Sequence, residues 1–209
     1  MTQTRTAADW EQRYCINDLP WDARRPEARL FEVLADLTPP TATALDLGCG
    51  GGDNAIALAQ RGFDVVGIDL APTAIDLARS RAKEAGVQKV RFVCGSVLEP
   101  LPVAPGSLGL AIDCGCFHTL PPSDRPTYAQ RVAGALTPGA WLLLMCGNID
   151  EPRPASQEGP PQLTATQIAA PLEPHFALHR LERTHFTGSD GRPTHLAWRA
   201  LFQLRQLAI

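Results

Sequence analysis

The chain lacks the features that mark membrane, secreted and nucleic-acid-binding proteins. Its longest strongly apolar run, residues 140–146, is far shorter than the ~20 residues that a bilayer-spanning helix needs. Residues 2–11 are polar and contain no apolar core of a signal peptide. The net charge of -3 supplies no basic excess for binding phosphate backbones. These absences predict a cytoplasmic protein that acts on a small molecule, without a membrane or nucleic-acid partner.

Cysteine pairs of the C-x-x-C type, which hold zinc or exchange disulfides, are also missing. We therefore predict no metal site, and we expect reduced thiols at the six scattered cysteines, Cys15, Cys49, Cys94, Cys114, Cys116 and Cys146. With 209 residues, 44% hydrophobic and 20% charged, the chain has the size and apolar content of one folded domain. We expect a monomer.

Short apolar runs alternate with helical stretches from residue 43 onwards. Five runs have the pattern of buried strands, at residues 43–47, 63–68, 90–94, 108–113 and 140–146. Helices are predicted between them at residues 53–61, 72–86 and 125–135. Alternating strands and helices imply a parallel sheet that binds ligands at the carboxyl ends of its strands.

The two ends of the chain depart from this alternation. Pro26, followed by apolar residues at helical spacing, predicts that the chain opens with helices. Near the other end, a capping box at Thr164 opens a short helix. Residues 176–184 and 196–204 then have the pattern of long strands, joined by a turn at residues 188–193. This part predicts an antiparallel hairpin.

The predicted fold class is α/β. It is a doubly wound, Rossmann-like, seven-stranded and mostly parallel sheet with a C-terminal antiparallel hairpin and an N-terminal helical lid. The single domain spans residues 1–209, with the lid at residues 1–40 and a cofactor-binding core at residues 41–209.

The most specific segment follows the first strand and precedes a helix. Gly48, Gly50 and Gly52 allow a tight turn and a close approach of a ligand, although a plain strand-to-helix turn is the alternative. Asp53 takes the place of the third glycine of a dinucleotide fingerprint, and Asp46 stands just before the turn. Two carboxylates repel a pyrophosphate and favour a positively charged ligand, such as the sulfonium of S-adenosylmethionine.

A third carboxylate, Asp69, ends the second strand, 21 positions after Gly48. A carboxylate at this place can accept hydrogen bonds from both hydroxyls of a ribose. The alternative is a cap for the helix that begins at Pro72. Because the glycine loop and the carboxylate occur in register, we favour the ribose ligand.

Several motifs along the chain carry a family resemblance. They are Trp10-x-x-Arg13-Tyr14 with Pro20-Trp21-Asp22, the loop Asp46 to Gly52, Gly67-Ile-Asp69-Leu-Ala-Pro72, Asp113-x-Gly115, Asp124-Arg-x-x-Tyr128, Leu136-Thr-Pro-Gly139 and Gly159-Pro-Pro161. With these motifs the chain resembles the class I methyltransferases that use S-adenosylmethionine. Within them it resembles the thiopurine and thiol methyltransferase-like group, which includes tellurite-resistance-type enzymes. The resemblance spans nearly the whole chain.

The resemblance implies a place for each part of the cofactor. Trp21 would pack on it from the lid, residues 46–52 would hold the methionine moiety, and Asp69 would take the ribose. Ser96 and Val97 would flank the adenine. The predicted cofactor contacts are Trp21, Asp46, Gly48, Gly50, Gly52, Asp69, Leu70, Ser96, Val97 and Asp113.

Two positions depart from the pattern of the resembled group. Ser96 stands where an acidic residue often follows Gly95, and Cys114 stands where an arginine often follows the aspartate of the fourth strand. A serine hydroxyl can still meet an adenine edge. The missing arginine predicts an acceptor pocket without a cation.

Residues 113–118 follow the fourth strand and are predicted to lie beside the transferable methyl group. Methyl transfer is an in-line displacement, so alignment and exclusion of water supply most of the catalysis. His118 is the candidate catalytic residue, as a proton acceptor or a polarising group, and its alternative is a structural histidine. The predicted substrate pocket consists of Tyr14, Cys114, Cys116 and Phe117.

Two features of this region have alternative interpretations. Cys114, Cys116 and His118 alternate, so in an extended chain they would face one way, as a soft-metal site requires, but no fourth ligand is visible. A small, polarisable pocket wall is favoured. The proline-rich residues 151–161 either close over the acceptor or form a passive connection.

The sequence therefore predicts methyl transfer from S-adenosylmethionine to a small molecule, with S-adenosylhomocysteine as the product. A thiol or another soft nucleophile is the favoured acceptor. O- or N-methylation of a hydroxylated or nitrogen aromatic heterocycle is the alternative among enzymes. A non-catalytic protein that binds the cofactor or responds to a metal is the alternative outside them.

Overall fold

One mixed β-sheet forms the centre of the computed structural model, which describes residues 5–154 and 157–206. Residues 1–4 of the predicted lid, 155–156 of the proline-rich segment and 207–209 of the predicted core lie outside this description. The strands are β1 (Thr43–Leu47), β2 (Asp64–Asp69), β3 (Val90–Cys94), β4 (Leu108–Cys114), β5 (Leu136–Asn148), β6 (Gln162–Leu163), β7 (Phe176–Thr187) and β8 (Pro193–Leu204). The helices are α1 (Ala7–Cys15), α2 (Ala28–Leu34), α3 (Asp53–Gln60), α4 (Pro72–Glu84), α5 (Arg125–Ala135) and α6 (Ala165–Leu172), with a 3-10 turn at Phe117–Thr119.

The sheet order confirms the predicted fold class. The strands lie in the order β3-β2-β1-β4-β5-β8-β7, which gives five parallel strands followed by the antiparallel hairpin β7 and β8. The two-residue strand β6, which the sequence pattern did not reveal, pairs with the end of β5 as an eighth member.

The strand order reverses at β1. Its neighbours are β2 and β4, and it pairs with β4 in parallel, with Leu47 opposite Asp113. The carboxyl ends of these strands therefore meet, and the loops that follow them lie side by side. This is the place where open α/β sheets bind their ligands.

Some predicted element boundaries are wrong, and tertiary pairing explains the differences. Strand β5 begins at Leu136, four residues before the predicted start, because Leu136 pairs with Leu108 directly after α5 ends. The hairpin strands are longer than predicted, since the ladder extends to the pair Thr187 and Pro193. The apolar pattern at residues 30–37 continues for one turn beyond the end of α2.

Apolar side chains pack on both faces of the sheet, as a doubly wound arrangement requires. One cluster contains Leu45, Tyr128 and Phe176, and the other contains Leu30 and Leu110. In the part of the chain that is described, no helix is both long enough and apolar enough to cross a membrane.

Polar contacts hold the N-terminal segment against the core. The Glu11 carboxylate in α1 accepts hydrogen bonds from the backbone N–H (3.0 Å) and the hydroxyl (2.5 Å) of Thr73 in α4. The Arg81 guanidinium in α4 donates to both carboxylate oxygens of Asp22, at 3.0 and 2.6 Å, and to Asp53 at 2.6 Å. These contacts place the predicted lid beside the loop that follows β1.

Candidate active site

The loop between β1 and α3 is built as a glycine-rich turn. Gly48, Gly50 and Gly52 have φ values of 67°, 52° and 83°, in the left-handed region that favours glycine. A β-carbon at Gly50 would lie 2.9 Å from the Tyr14 hydroxyl of α1. The absence of a side chain thus keeps the backbone open at a place where the lid approaches it.

Asp69 at the end of β2 holds this loop. Its Oδ2 accepts the Gly50 N–H at 2.9 Å, and its Oδ1 accepts the Ala71 N–H at 3.0 Å. Burial raises the pKa of Asp69, and the two backbone hydrogen bonds oppose this rise. The carboxylate predicted to bind ribose therefore also fixes the glycine turn, and each oxygen keeps a second lone pair for a ligand.

Asp46 is a buried carboxylate at the end of β1. It is 1% exposed, and its Oδ2 has no hydrogen-bond partner among the described residues. Burial, assisted by the negative charge of Asp113, raises its pKa to about 8. A buried polar atom without a partner is costly, so this oxygen marks a place where a ligand can supply the missing interaction.

Asp113 has a different role from the predicted one. Its carboxylate is fully buried and accepts hydrogen bonds from the backbone N–H groups of Cys116 (2.9 Å) and Phe117 (3.0 and 3.2 Å) and from the Tyr128 hydroxyl (2.8 Å). These protein donors occupy both oxygens. We therefore assign Asp113 to shaping the loop after β4, and we replace the predicted contact with the cofactor by this positioning role.

The chain bends immediately after β4, and this corrects two predictions. Gly115 has a φ of 90°, and the 3-10 turn follows, so Cys114, Cys116 and His118 are not in an extended segment facing one way. Within residues 5–154 and 157–206 no group of three or more His, Cys, Asp or Glu side chains is arranged to hold a metal. Burial raises the pKa of both cysteine thiols well above the ordinary value, which disfavours their thiolates.

Phe117 and Cys116 face the protein interior. Phe117 has no exposed surface, and its ring packs edge-on against Tyr128 with 5.2 Å between ring centroids. The prediction of Phe117 as a pocket residue is therefore wrong, because its side chain belongs to the core. Cys116 packs against the glycine loop, where a β-carbon at Gly48 would lie 3.0 Å from its Sγ.

His118 is buried and its ring orientation is fixed. Its Nδ1 accepts the Gly147 N–H at 3.0 Å, which leaves Nε2 as the protonated nitrogen of the neutral ring. Burial lowers its pKa to about 3, with contributions from the positive charges of Arg125 and Arg153. The general-base interpretation is not supported, since the one free lone pair is already used. His118 is arranged to donate a hydrogen bond from Nε2.

The aromatic residues of the N-terminal segment form one cluster near the glycine loop. The Trp21 Nε1–H donates to the Tyr14 hydroxyl at 3.4 Å, and the Trp21 ring packs edge-on against Trp10. Tyr14 contacts the turn at Gly50 and not the loop after β4, so we move it from the predicted substrate pocket to the cofactor side. Trp21 remains 42% exposed, and its contact with a cofactor stays a prediction.

The segment after β3 lies next to Asp69. The Gly95 N–H donates to the Asp69 carbonyl at 2.9 Å, and the Ser96 hydroxyl accepts the Leu98 N–H at 3.1 Å. Val97 is buried in the core, and Leu70 is half-buried at the end of β2. These positions agree with a site at the carboxyl ends of β2 and β3, and the contacts with adenine stay predictions.

Sequence reasoning missed two buried cations in this region. It expected no cation because Cys114 replaces an arginine, yet Arg125 and Arg153 both lie close enough to lower the pKa of His118. Arg125 is 5% exposed, and Arg153 lies 3.5 Å from Glu151 in an ion pair. Arg125 belongs to the Asp124-Arg motif, whose presence in the sequence was noted without assigning a role to the arginine.

Comparison with known proteins agrees with this architecture. The fold is the Rossmann-like fold of class I methyltransferases, and the chain superposes on a SAM-dependent methyltransferase from Methanosarcina mazei with a TM-score of 0.70, covering 82% of this chain and 96% of that one at 20% identity. Residues 44–139, which contain the glycine loop, Asp69 and the loop after β4, match the family model described as a methyltransferase domain. The chain thus has a methyltransferase fold, and this segment carries the sequence of a methyltransferase domain.

Two curated relatives show the range of acceptors. The chain is 32% identical to a 2-heptyl-1-hydroxyquinolin-4(1H)-one methyltransferase from Mycobacteroides abscessus, over 66% of this chain and 63% of that protein. It is 28% identical to a probable thiol methyltransferase 2 from Arabidopsis thaliana, over 70% of this chain and 64% of that protein. The matches thus span less than two thirds of the length of either relative, and they do not single out the tellurite-resistance-type group.

Proposed function

We propose that this protein transfers a methyl group from S-adenosylmethionine to a small-molecule acceptor. The observation that carries the proposal is the glycine turn at the end of β1, which is surrounded by buried carboxylates. Asp46 there leaves a buried oxygen without a partner, and the negative charges of Asp53 and Asp69 further raise its pKa. This environment attracts an ammonium or sulfonium group and repels a phosphate.

The residues present fit such a cofactor in three places. The left-handed glycines keep the turn free of side chains, and Asp69 beside them has lone pairs for ribose hydroxyls. The aromatic cluster around Trp21 offers a partly exposed ring beside the same turn. Arg81 fixes that cluster's segment to the core through Asp22, so the lid side of the site is positioned before a ligand arrives.

When bound, S-adenosylmethionine supplies a methyl group on a sulfonium that leaves as S-adenosylhomocysteine after in-line attack by the acceptor. The protein contributes alignment and exclusion of water. The loop after β4, fixed by Asp113, forms the acceptor side, and His118 can donate a hydrogen bond there from Nε2.

We propose a thiol or another soft nucleophile as the acceptor atom. His118 is not available as a base, which favours acceptors that ionise without help. A thiol with a pKa near ~8.5 is partly ionised at neutral pH, whereas a phenol with a pKa near ~10 is not. The probable thiol methyltransferase among the relatives supports this choice. We also propose that the chain acts as a monomer in the cytoplasm and belongs to the tellurite-resistance-type group.

O- or N-methylation of an aromatic heterocycle is the second candidate. It is favoured by the hydroxyquinolone methyltransferase among the relatives. Buried Arg125 near the loop after β4 adds support, because a nearby cation lowers the pKa of a phenol and stabilises the phenolate.

Isotope-labelled S-adenosylmethionine and a mixed panel of acceptors test the proposal. The panel contains small thiols, sulfide, halides and hydroxylated heteroaromatics, and mass spectrometry identifies the labelled products. Labelled thioethers are expected. Labelled O- or N-methyl products would replace the thiol proposal by the second candidate, and no labelled product with any acceptor would count against methyl transfer itself.

Substitution of His118 separates hydrogen-bond donation from base catalysis. We expect His118→Ala to lower turnover roughly tenfold, which is the effect of losing one hydrogen bond worth about 1 kcal/mol, with nearly unchanged cofactor affinity. His118→Gln keeps a donor near the Nε2 position and is expected to retain more turnover than His118→Ala. Steady-state kinetics between about pH 5.5 and 8 check this. Equal losses in both variants, with loss of a pH-dependent limb, would restore the base interpretation.

The raised pKa of Asp46 predicts pH-dependent cofactor binding. Below about pH 8 the carboxyl of the free protein is protonated, and a positively charged ligand favours the ionised form. We therefore expect affinity for S-adenosylmethionine to rise with pH up to about 8, by no more than about tenfold per unit, with release of a proton. Calorimetry in two buffers of different ionisation enthalpy measures that proton.

Asp46→Asn is the control for this linkage. It should bind the cofactor more weakly at pH 8 and lose the pH dependence. Without ligand the sign is the reverse, because a folded-state pKa above the ordinary 3.8 makes Asp46 lower the stability as pH rises from there towards 8. A proton release that persists in Asp46→Asn would assign the linkage to another group.

A further inference from the structure

Arg125, at the start of α5, is a buried cation without a counter-ion among the described residues. Its side chain is 95% buried in relative terms, with 5% exposed, and its Nε has no hydrogen-bond partner. The guanidinium lies over the Phe117 ring, 5.4 Å from the centroid. Burial lowers its pKa, and no carboxylate contributes to holding the charge. A buried, unpaired charge is costly, so a fold that keeps one has a use for it.

Further hydrogen-bond donors without partners lie close to Arg125. Asn148 ends β5 and is fully buried, and its Oδ1 accepts the Asp150 N–H while its Nδ2 has no partner within the described residues. Its neighbour Gly147 is the residue whose N–H holds His118. The Nη1 of Arg153 also lacks a hydrogen-bond partner. We name Arg125, His118, Asn148 and Arg153 the donor cluster.

The donor cluster carries an uncompensated positive charge. Arg153 lies 3.5 Å from the Glu151 carboxylate and donates to the Pro160 carbonyl at 2.8 Å, so its charge is matched. The charge of Arg125 is not matched in this way. Both guanidinium groups act on His118, which ties the cluster to the loop after β4. The unmet donors and the unmatched charge therefore call for one negatively charged hydrogen-bond acceptor.

We infer that the donor cluster binds a carboxylate, or an equivalent anionic oxygen, of the methyl acceptor, with Arg125 as its charged ligand. This inference rests on the proposed methyl transfer, since it assigns the cluster to the acceptor side of that site. A planar guanidinium matches a carboxylate in shape and in charge. One unmatched cation fits a single negative charge, and the carboxylates around the glycine turn disfavour a dianion such as phosphate.

Benzoate and its neutral analogue benzamide are the probes. Calorimetric titration of the whole protein, with and without saturating S-adenosylhomocysteine, measures both affinities. We expect benzoate to bind at least tenfold more tightly than benzamide. Arg125→Met should remove that preference by weakening benzoate at least tenfold while leaving benzamide unchanged. Equal binding of the two probes, or no binding of benzoate, would overturn the inference.

Two controls separate the charge effect from damage to the fold. Arg131→Met removes an exposed arginine from the same helix and is expected to leave benzoate binding unchanged. Arg125→Met is expected to unfold at the same or a higher temperature, because it removes an unpaired buried charge. If it unfolds instead, Asn148→Leu decides, since losing the Nδ2 donor should weaken benzoate severalfold. Unchanged benzoate affinity in a folded Arg125→Met or Asn148→Leu protein would contradict the inference.

The experiment keeps the two proposals separate. Binding of S-adenosylhomocysteine without benzoate tests the cofactor site, and benzoate titration without S-adenosylhomocysteine tests the donor cluster. With turnover, the pair 3-mercaptopropionate and 3-mercaptopropionamide should show a KM difference of at least tenfold that Arg125→Met abolishes. Transfer to both thiols with equal KM would keep the methyl-transfer proposal and refute the carboxylate site.

Discussion

Gly48→Ala is expected to abolish measurable binding of S-adenosylmethionine and to lower the unfolding temperature. Gly48 has a φ of 67°, where a side chain costs about 1–2 kcal/mol. Its new β-carbon would lie 2.6 Å from the Cys116 β-carbon, which the turn after β4 fixes. Overpacking of this kind costs about 1–3 kcal/mol more or moves the two loops apart. Both loops line the proposed site, so binding and stability should fall together, as measured by calorimetry and thermal unfolding.

Gly134→Ala is the matched control for this change. Gly134 lies in α5 with open space around its α-carbon, and alanine there should leave binding unchanged and stabilise the helix by about 0.5–1 kcal/mol. An affinity of Gly48→Ala within twofold of the original protein would show that the turn after β1 does not hold the cofactor.

Asp69→Ala is expected to weaken binding of S-adenosylmethionine at least tenfold. The substitution removes the proposed ribose acceptor and also the hydrogen bonds to the Gly50 and Ala71 N–H groups. Hydrogen bonds to charged groups contribute about 1.5–3 kcal/mol, so the loss of even one accounts for a tenfold effect. Asp69→Asn keeps the shape and one acceptor oxygen, and an intermediate affinity is expected by the same titration.

The control for Asp69 removes a carboxylate that lies outside the site. Asp76 is exposed on α4 and pairs with Arg79, so Asp76→Ala tests the general effect of losing one negative charge. Its binding should match that of the original protein. Unchanged affinity in Asp69→Ala would mean that the ribose lies elsewhere and that the assignment of the end of β2 is wrong.

Local patterns were sufficient for the fold and for the cofactor side of the site. The buried runs at β1 and β4 predicted neighbouring parallel strands, and the glycine spacing after Thr43–Leu47 predicted a turn that the structure confirms with left-handed glycines. These features depend on backbone conformation and strand alternation, which sequence spacing encodes directly.

The acceptor side could not be predicted in the same way, because it depends on contacts between distant residues. Nothing in the sequence shows that Asp113 binds Tyr128, or that Gly147 fixes the His118 ring. The residue types alone suggested a base at His118 and a pocket wall at Phe117. Burial decided otherwise, since it lowers the pKa of His118 and places Phe117 in the core.

Direct titration with S-adenosylmethionine and, separately, with NAD tests the central claim most directly. The claim is that buried carboxylates around the glycine turn select a cationic cofactor without a phosphate. It predicts saturable binding of S-adenosylmethionine, lost in Asp69→Ala, and no detectable binding of NAD. Binding of NAD in preference to S-adenosylmethionine, or no binding of S-adenosylmethionine to the folded protein, would contradict it.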